Sequence, residues 1–259
     1  MKKNLLSLVL AQALSGVALL PAFGQTPWAA VPNVPSFLRG APYGDISYLI
    51  APQPNVLWGV FSGYVIRGTN VVAVFRTLDN GLTWETGPRG LDLSVQDAQT
   101  AWLLDYDAAN VPHLAHTVSG PNGFVDVPAV LPAGISGIYF FTASVGIATT
   151  TLFTPGVSLV VGPLYRTTDG GATWTVVAAA PQTTAGAFNY YIAAKQALGN
   201  SLWLSTSNGD LIRTADAGLT WTTTPDLGKV AFEDVLHGLA CNRNASGQQL
   251  FRTVDGGMS

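Results

Sequence analysis

Phe75-Arg76-Thr77-Leu78-Asp79-Asn80-Gly81-Leu82-Thr83-Trp84 decides how this chain folds, because later stretches make nearly the same statement. They are Tyr165-Arg166-Thr167-Thr168-Asp169-Gly170-Gly171-Ala172-Thr173-Trp174, Ile212-Arg213-Thr214-Ala215-Asp216-Ala217-Gly218-Leu219-Thr220-Trp221 and Phe251-Arg252-Thr253-Val254-Asp255-Gly256-Gly257-Met258-Ser259, the last cut off before its Trp. Recurrence of this kind is the sequence mark of a repeat architecture. Each copy predicts a strand, a tight turn and the start of a returning strand. The Asp is expected to accept from backbone N–H groups two residues onward, and the Gly takes positive φ at no steric cost. The large residue before Arg and the Trp after the turn supply apolar anchors, the indole N–H needing a partner once buried.

The repeated Asp residues stand at 79, 169, 216 and 255, so one copy is missing from the first interval. It is found in degenerate form at His116-Thr117-Val118-Ser119-Gly120-Pro121-Asn122-Gly123-Phe124. Here Ser119 takes the Asp place, Pro121 the Gly place and Phe124 the Trp place. The period then averages about 44 residues, the size of a four-stranded propeller blade. A second repeat lies upstream of the turns: Phe232-Glu233-Asp234-Val235-Leu236-His237-Gly238-Leu239-Ala240 aligns on Phe140-Phe141-Thr142-Ala143-Ser144-Val145-Gly146-Ile147-Ala148, and loosely on Val95 to Leu103. Each pairs a strand, a turn and another strand, and Trp58, Trp102 and Trp203 fall in further alternating apolar runs.

Thr-x-Asp-x-Gly-x-Thr-Trp resembles the Asp box, or BNR repeat, of sialidase-like and sortilin-like β-propellers. Its box residues would be Thr77, Asp79, Gly81 and Trp84; Thr167, Asp169, Gly171 and Trp174; Thr214, Asp216, Gly218 and Trp221; and Thr253, Asp255 and Gly257. Combined with the Phe-x-Asp-x-x-x-Gly-x-Ala strand pair, the chain is similar to photosystem II assembly and stability factors and their exported bacterial relatives. The resemblance implies an all-β propeller of about five four-stranded antiparallel blades. It is expected to be incomplete at its C-terminal end, where Met258-Ser259 interrupts the fifth box. The alternative is that the N-terminal segment supplies the missing strand.

Residues 1–24 read as a secretory signal peptide: a basic start at Lys2-Lys3, an apolar run from Leu5 to Leu20, and small residues before Gln25. Residues 25–45, with Pro27, Pro32, Pro35 and Pro42, read as an extended leader, and 46–259 as the propeller. The expected location is therefore extracytoplasmic: secreted, periplasmic or on the cell surface. Between Ser144 and Gly162 the chain is apolar but broken by Gly146, Pro155 and Gly156, which predicts two strands and a turn and no integral span. Twelve Lys and Arg against 15 Asp and Glu, with Lys2 and Lys3 in the expected signal peptide, argue against nucleic acid or anionic membrane as partner. Cys241 is the sole cysteine, which excludes an intramolecular disulfide and reads as a small strand residue. His113, His116 and His237 are too scattered for a metal set, and no phosphate loop or cofactor motif is present.

Repetition separates architecture from chemistry, because a catalytic group is needed once and a structural group in every blade. Arg76, Arg166, Arg213 and Arg252 hold one place in the repeat, and His116 stands there in the degenerate copy. The resemblance to sialidases implies three arginines on a substrate carboxylate, a Tyr nucleophile with a Glu partner and an acidic Asp. Arg39, Arg67, Arg89 and Arg243 remain, none in the Arg-Ile-Pro setting of that family, and no Tyr is singled out by a partner. Among carboxylates, Asp105 and Asp107 flank Tyr106 and would share one face of a strand; they are the candidate acid pair for glycoside hydrolysis. Three functions follow: a non-catalytic propeller binding a protein or a glycan; a glycoside hydrolase with a divergent site that includes Asp105, Asp107, Arg67 and Tyr106; and a photosystem II assembly factor-like scaffold.

Overall fold

Strands of alternating Val, Thr, Tyr and Trp separated by Gly-, Asn- and Asp-bearing turns can bury one face only by stacking sheet on sheet. The computed structural model describes residues 33–35, 43–65, 69–154, 157–178, 192–207, 209–244 and 247–258. The expected signal peptide, Arg67 and most of the leader lie outside them. The chain is all-β, with five antiparallel sheets in the order of propeller blades and, among the described residues, a single 3-10 turn at Pro121–Gly123.

Sheet 1 holds β1 (Tyr43–Gln53), β2 (Val56–Val65), β3 (Thr69–Thr77) and β4 (Glu85–Thr86) in sequential order. The first strand starts inside the stretch expected as leader, because Tyr43, Gly44 and Asp45 pair with Tyr64, Gly63 and Ser62. Sheet 2 repeats the meander with β5 (Asp92–Val95), β6 (Ala101–Tyr106), β7 (Pro112–Thr117) and β8 (Val125–Asp126). In sheet 3, β9 (Ile135–Phe140) and β10 (Gly146–Thr154) are followed by a third strand split into β11 (Val157–Val161) and β12 (Tyr165–Thr167), then β13 (Thr175–Val176). The split falls at Gly162-Pro163, where Pro offers no ladder donor and its carbonyl accepts from the Thr150 hydroxyl at 2.7 Å. Sheet 4 is β14 (Ile192–Leu198), β15 (Ser201–Thr206), β16 (Leu211–Thr214) and β17 (Thr222–Thr224). Sheet 5 shows three strands, β18 (Lys229–Phe232), β19 (Gly238–Asn244) and β20 (Gly247–Thr253).

The chain divides into two compact units between Val127 and Pro128, the first holding sheets 1 and 2 and the second sheets 3 to 5. In the first unit, Trp58, Val60 and Val74 of sheet 1 pack on Leu93, Ala101 and Leu103 of sheet 2, all buried. In the second, Ile147 and Leu164 meet Leu202, Leu204 and Ile212 of sheet 4. Trp203 and Leu211 then meet Phe232 of sheet 5, with the two aromatic rings stacked at 4.0 Å. Removing such indoles and aliphatic chains from water is the main favourable term for the fold.

The Phe…Gly spacing seen in the sequence has a packing cause. Phe140 pairs with Gly146 and Phe232 with Gly238 across the first hairpin of their sheets. An added Cβ would lie 2.8 Å from the Phe140 ring and 2.5 Å from the Phe232 ring. Only Gly lets the ring lie flat across its partner strand. The same hairpins turn alike: Gln96, Phe141 and Glu233 donate their N–H to Thr100, Val145 and His237 carbonyls at 3.0, 2.8 and 2.9 Å. The next side chain accepts inside each turn. Asp97 takes the Gln99 and Thr100 N–H groups, Thr142 that of Val145, and Asp234 those of Leu236 and His237.

Candidate functional site

Every sheet presents two ends, and the polar residues of the two ends behave differently. At the end carrying the repeat turn, the Thr is the organiser. Thr77 Oγ1 accepts from the Asp79 and Gly81 N–H groups at 3.3 and 2.8 Å and donates to Asp79 Oδ1 at 2.8 Å. Asp79 then reaches four residues onward, Oδ1 accepting from the Thr83 N–H at 2.9 Å and Oδ2 from its hydroxyl at 2.6 Å. At Asp79 the reach is four residues and not the expected two, which Asp255 keeps toward Gly257: the chain coils over the carboxylate through two successive positive-φ residues, Asn80 and Gly81, and brings Thr83 back to it. The same bonds recur around Asp169 and Asp216. Trp84, Trp174 and Trp221 donate their indole N–H to the carbonyls of Gly81, Gly171 and Gly218. In the last copy Asp255 Oδ1 accepts from Gly257 and Met258 N–H groups at 3.1 and 3.0 Å.

One bond ties this turn to its sheet in all five copies. The residue after the Asp place, Asn80, Gly120, Gly170, Ala217 or Gly256, has positive φ. It donates its N–H to the first hairpin of the same sheet, at Asn55, Gln99, Ser144, Asn200 or Leu236, over 2.7 to 3.1 Å. The hydroxyl and N–H of Thr83 and of Thr173 hold Asp79 and Asp169 ionised, with pKa lowered from 3.8 to about 2. Such carboxylates are poor proton donors near neutrality.

The repeated Arg is spent in the same way. Arg76 is buried, its guanidinium lying over the Trp58 ring, donating to the Ala98 carbonyl and to Gln99 Oε1 of sheet 2, and pairing with Glu85. Arg166 Nε donates to the Ala217 carbonyl of sheet 4 at 2.9 Å. Arg213 lies over Trp203 and against Gly256 of sheet 5, while the Trp203 indole donates to the Gly256 carbonyl at 2.9 Å.

At the opposite end of sheet 2, non-repeated side chains gather. Asp105 is paired across the ladder with His113, and Arg89 Nε lies 3.2 Å from Asp105 Oδ1. β6 ends at Tyr106, so Asp107 does not share a strand face with Asp105 as its spacing suggested. It curls into the β6–β7 turn, Oδ1 accepting from Ala109 and Val111 N–H groups at 2.8 Å each and Oδ2 lying 3.5 Å from His113 Nε2. Those bonds, that of Val111 foremost, lower its pKa. Partial burial raises that of Tyr106. The result is an accessible patch of both signs formed by Arg89, Asp105, Asp107 and His113. Sequence reasoning missed Arg89 and His113 here, because only the start of β5 and the β6–β7 register bring them to Asp105. Among the described residues no group of three His, Cys, Asp or Glu side chains is placed to hold a metal ion. None of the described helices is long and apolar enough to cross a membrane.

No family model and no curated protein matches this chain. Solved structures do. A GH74 xyloglucanase from Xanthomonas campestris aligns with a TM-score of 0.52 at 19% identity, over 79% of this chain and 36% of that one. YCF48 from Cyanidioschyzon merolae aligns with a TM-score of 0.46 at 16% identity, over 81% of this chain and 70% of that one. A YCF48 bound to D1 peptide aligns at 0.39 and 17%, over 85% and 82%. The chain spans little more than a third of the xyloglucanase, and that likeness identifies the fold as a β-propeller.

Proposed function

We propose that the chain is an exported, non-catalytic propeller module whose repeat turns are Asp boxes and which holds a protein or glycan ligand at the end of sheet 2 opposite them. The observation that supports this reading most is the division of labour between the two ends. The repeated Thr and Asp groups bond within their own turns, whereas Arg89, Asp105 and His113 occur once and are reachable from solvent. A paired donor and acceptor held over a rigid sheet suits recognition of hydroxyl, amide or carboxylate groups. Asp107, committed to two backbone N–H groups, is ill suited to carry the proton that a hydrolytic acid must deliver. The signal-peptide pattern at residues 1–24 supports an extracytoplasmic location.

The test is a binding screen of the mature protein on immobilised microbial and plant glycans and on extended peptides, repeated with Arg89→Ala, Asp105→Ala and His113→Ala. Affinity is expected to fall ~10-fold or more for the first two, with melting unchanged. Turnover of a glycan abolished by Asp105→Asn would replace the reading with a hydrolase. Binding indifferent to all three variants would move the site elsewhere. Export is checked by finding Gln25 at the N-terminus of protein recovered outside the cytoplasm.

A further inference from the structure

His113 stands where its charge decides what the patch at the end of sheet 2 holds. It faces Asp105 across the β6–β7 ladder, and its Nε2 lies 3.5 Å from Asp107 Oδ2. An ordinary N–H···O bond spans about 2.7–3.2 Å, so this longer contact gains most of its strength when the imidazole is a cation. Asp107 is fixed beside it. Its Oδ1 accepts from the Ala109 and Val111 N–H groups, and those bonds, Val111's foremost, together with His113 lower its pKa from 3.8. From the other elements packed on β7, β6 also carries Tyr106, whose pKa burial raises from 10.0, and β8 brings Asp126, the register partner of Ala115. The 3-10 turn at Pro121–Gly123 brings no ionisable group. Arg, Asp, Tyr and His are thus the side-chain types gathered here, and imidazole is the one that changes charge between about pH 5 and 8.

The exposed Arg89 meets Asp105 through Nε at 3.2 Å, so the terminal amines of its guanidinium can take a second carboxylate in the two-bond geometry that suits Arg. Asp105 and Asp107 beside it offer oxygens that accept from hydroxyl groups. A carboxylate set among hydroxyls is the composition of a uronic acid, whereas an acidic peptide side chain carries its carboxylate alone. We propose that the patch takes a glycan containing uronic acid, its carboxylate on Arg89 and its hydroxyls on Asp105, and that protonation of His113 tightens the hold. This rests on the reading of the patch as the ligand site. With a neutral imidazole, Arg89 is the one cation facing Asp105, Asp107 and Asp126. With a charged one, the imidazolium draws onto Asp107 and offsets the repulsion that these carboxylates exert on the incoming one. The ligand is therefore captured in mildly acidic surroundings and released as pH rises past neutrality. Coupling is reciprocal, so binding near neutrality takes up a proton.

Titration calorimetry with oligogalacturonate at about pH 5.5 and 7.5, in buffers of differing ionisation enthalpy, tests this. Affinity is expected to be ~3- to 10-fold higher at the lower pH, with proton uptake read from the buffer dependence of the heat. His113→Gln is expected to bind with one affinity at both pH values and to take up no proton. Arg89→Ala is expected to lose oligogalacturonate at either pH, and the fully methyl-esterified oligomer is expected to bind weakly and without pH dependence. Wild-type binding that Arg89→Ala abolishes but that is equal at both pH values overturns the role of His113 and leaves the site standing. Binding that neither Arg89→Ala nor Asp105→Ala weakens overturns the site itself, and the proposal with it. A pH dependence that persists in His113→Gln belongs to another group and overturns the proposal. Oligoglutamate bound in place of oligogalacturonate overturns the glycan assignment, and binding of neither overturns the whole.

Discussion

The turn at Thr167–Trp174 and the turn at Thr117–Phe124 stand at the same place in their sheets but close by different chemistry. In the third sheet a Thr and an Asp satisfy each other, three N–H groups and a hydroxyl, and an indole locks the exit. In the second sheet only the Thr remains. Thr117 Oγ1 accepts from the Ser119 N–H at 3.1 Å and donates to the Gly120 carbonyl at 2.8 Å, and a 3-10 turn replaces the coil over a carboxylate. Both turns nevertheless make the bond from the positive-φ residue to the first hairpin. The difference shows which part of the motif is indispensable: the Thr and the left-handed residue shape the turn, while the Asp and the Trp lock it.

The largest expected effect lies in the interlocking core. Trp203→Ala is expected to cost about 3–5 kcal/mol, the range for emptying a large buried aromatic site, because it removes the stack on Phe232 and the bond to Gly256. Denaturant unfolding followed by far-UV signal measures it. The left-handed glycines come next. Gly170→Ala is expected to cost about 1–2 kcal/mol from backbone strain alone, since an added Cβ meets only the Ala143 carbonyl at 3.2 Å. Gly120→Ala places that Cβ against the Arg76 guanidinium and adds a further ~1–3 kcal/mol of overpacking. Equal midpoints for the two variants would show that Arg76 does not rest on the second repeat.

A smaller difference separates the threonines. Thr167→Val strands the buried Gly171 N–H and is expected to cost about 1–3 kcal/mol. Thr117→Val takes an acceptor from one part-buried N–H and a donor from the Gly120 carbonyl, which keeps the Gly123 N–H at 3.1 Å, and is expected to cost less. The weakest effect is the acid limb. Folded Asp79 and Asp169 have pKa about 2 against 3.8. The stabilisation they provide is therefore complete above 3.8 and is lost as pH falls toward 2. Asp169→Asn is expected to flatten stability against pH in that window. Ser119→Asp is expected to steepen it, and thermal melts from pH 5 to 2 report both.

Much of the architecture was legible because repetition exposes it. The doubled interval located the second turn, and the alignment of Phe232–Ala240 on Phe140–Ala148 anticipated a shared strand, turn and strand, though not the ring that lies over the glycine in each. Three things were not legible. Strand alternation placed Asp105 and Asp107 on one face, but alternation holds only while the strand lasts, and β6 stops between them. The second of the two strands expected between Ser144 and Gly162 was followed only as far as Gly162, and its resumption at Tyr165 beyond Gly162-Pro163 was not anticipated. The Arg89–Asp105–His113 patch is a product of register between distant segments, which local pattern does not carry.

The central claim is that what recurs in this chain builds it and what does not recur is free for a ligand. The melting temperature of the triple variant Arg89→Ala, Asp105→Ala, His113→Ala tests it most directly, measured beside Thr167→Val. The triple variant is expected to melt within ~3 °C of the wild type, as befits exposed ion pairs, and the single Thr variant clearly lower. A triple variant that melts as low as Thr167→Val would contradict the claim, because the single-copy patch would then be part of the frame.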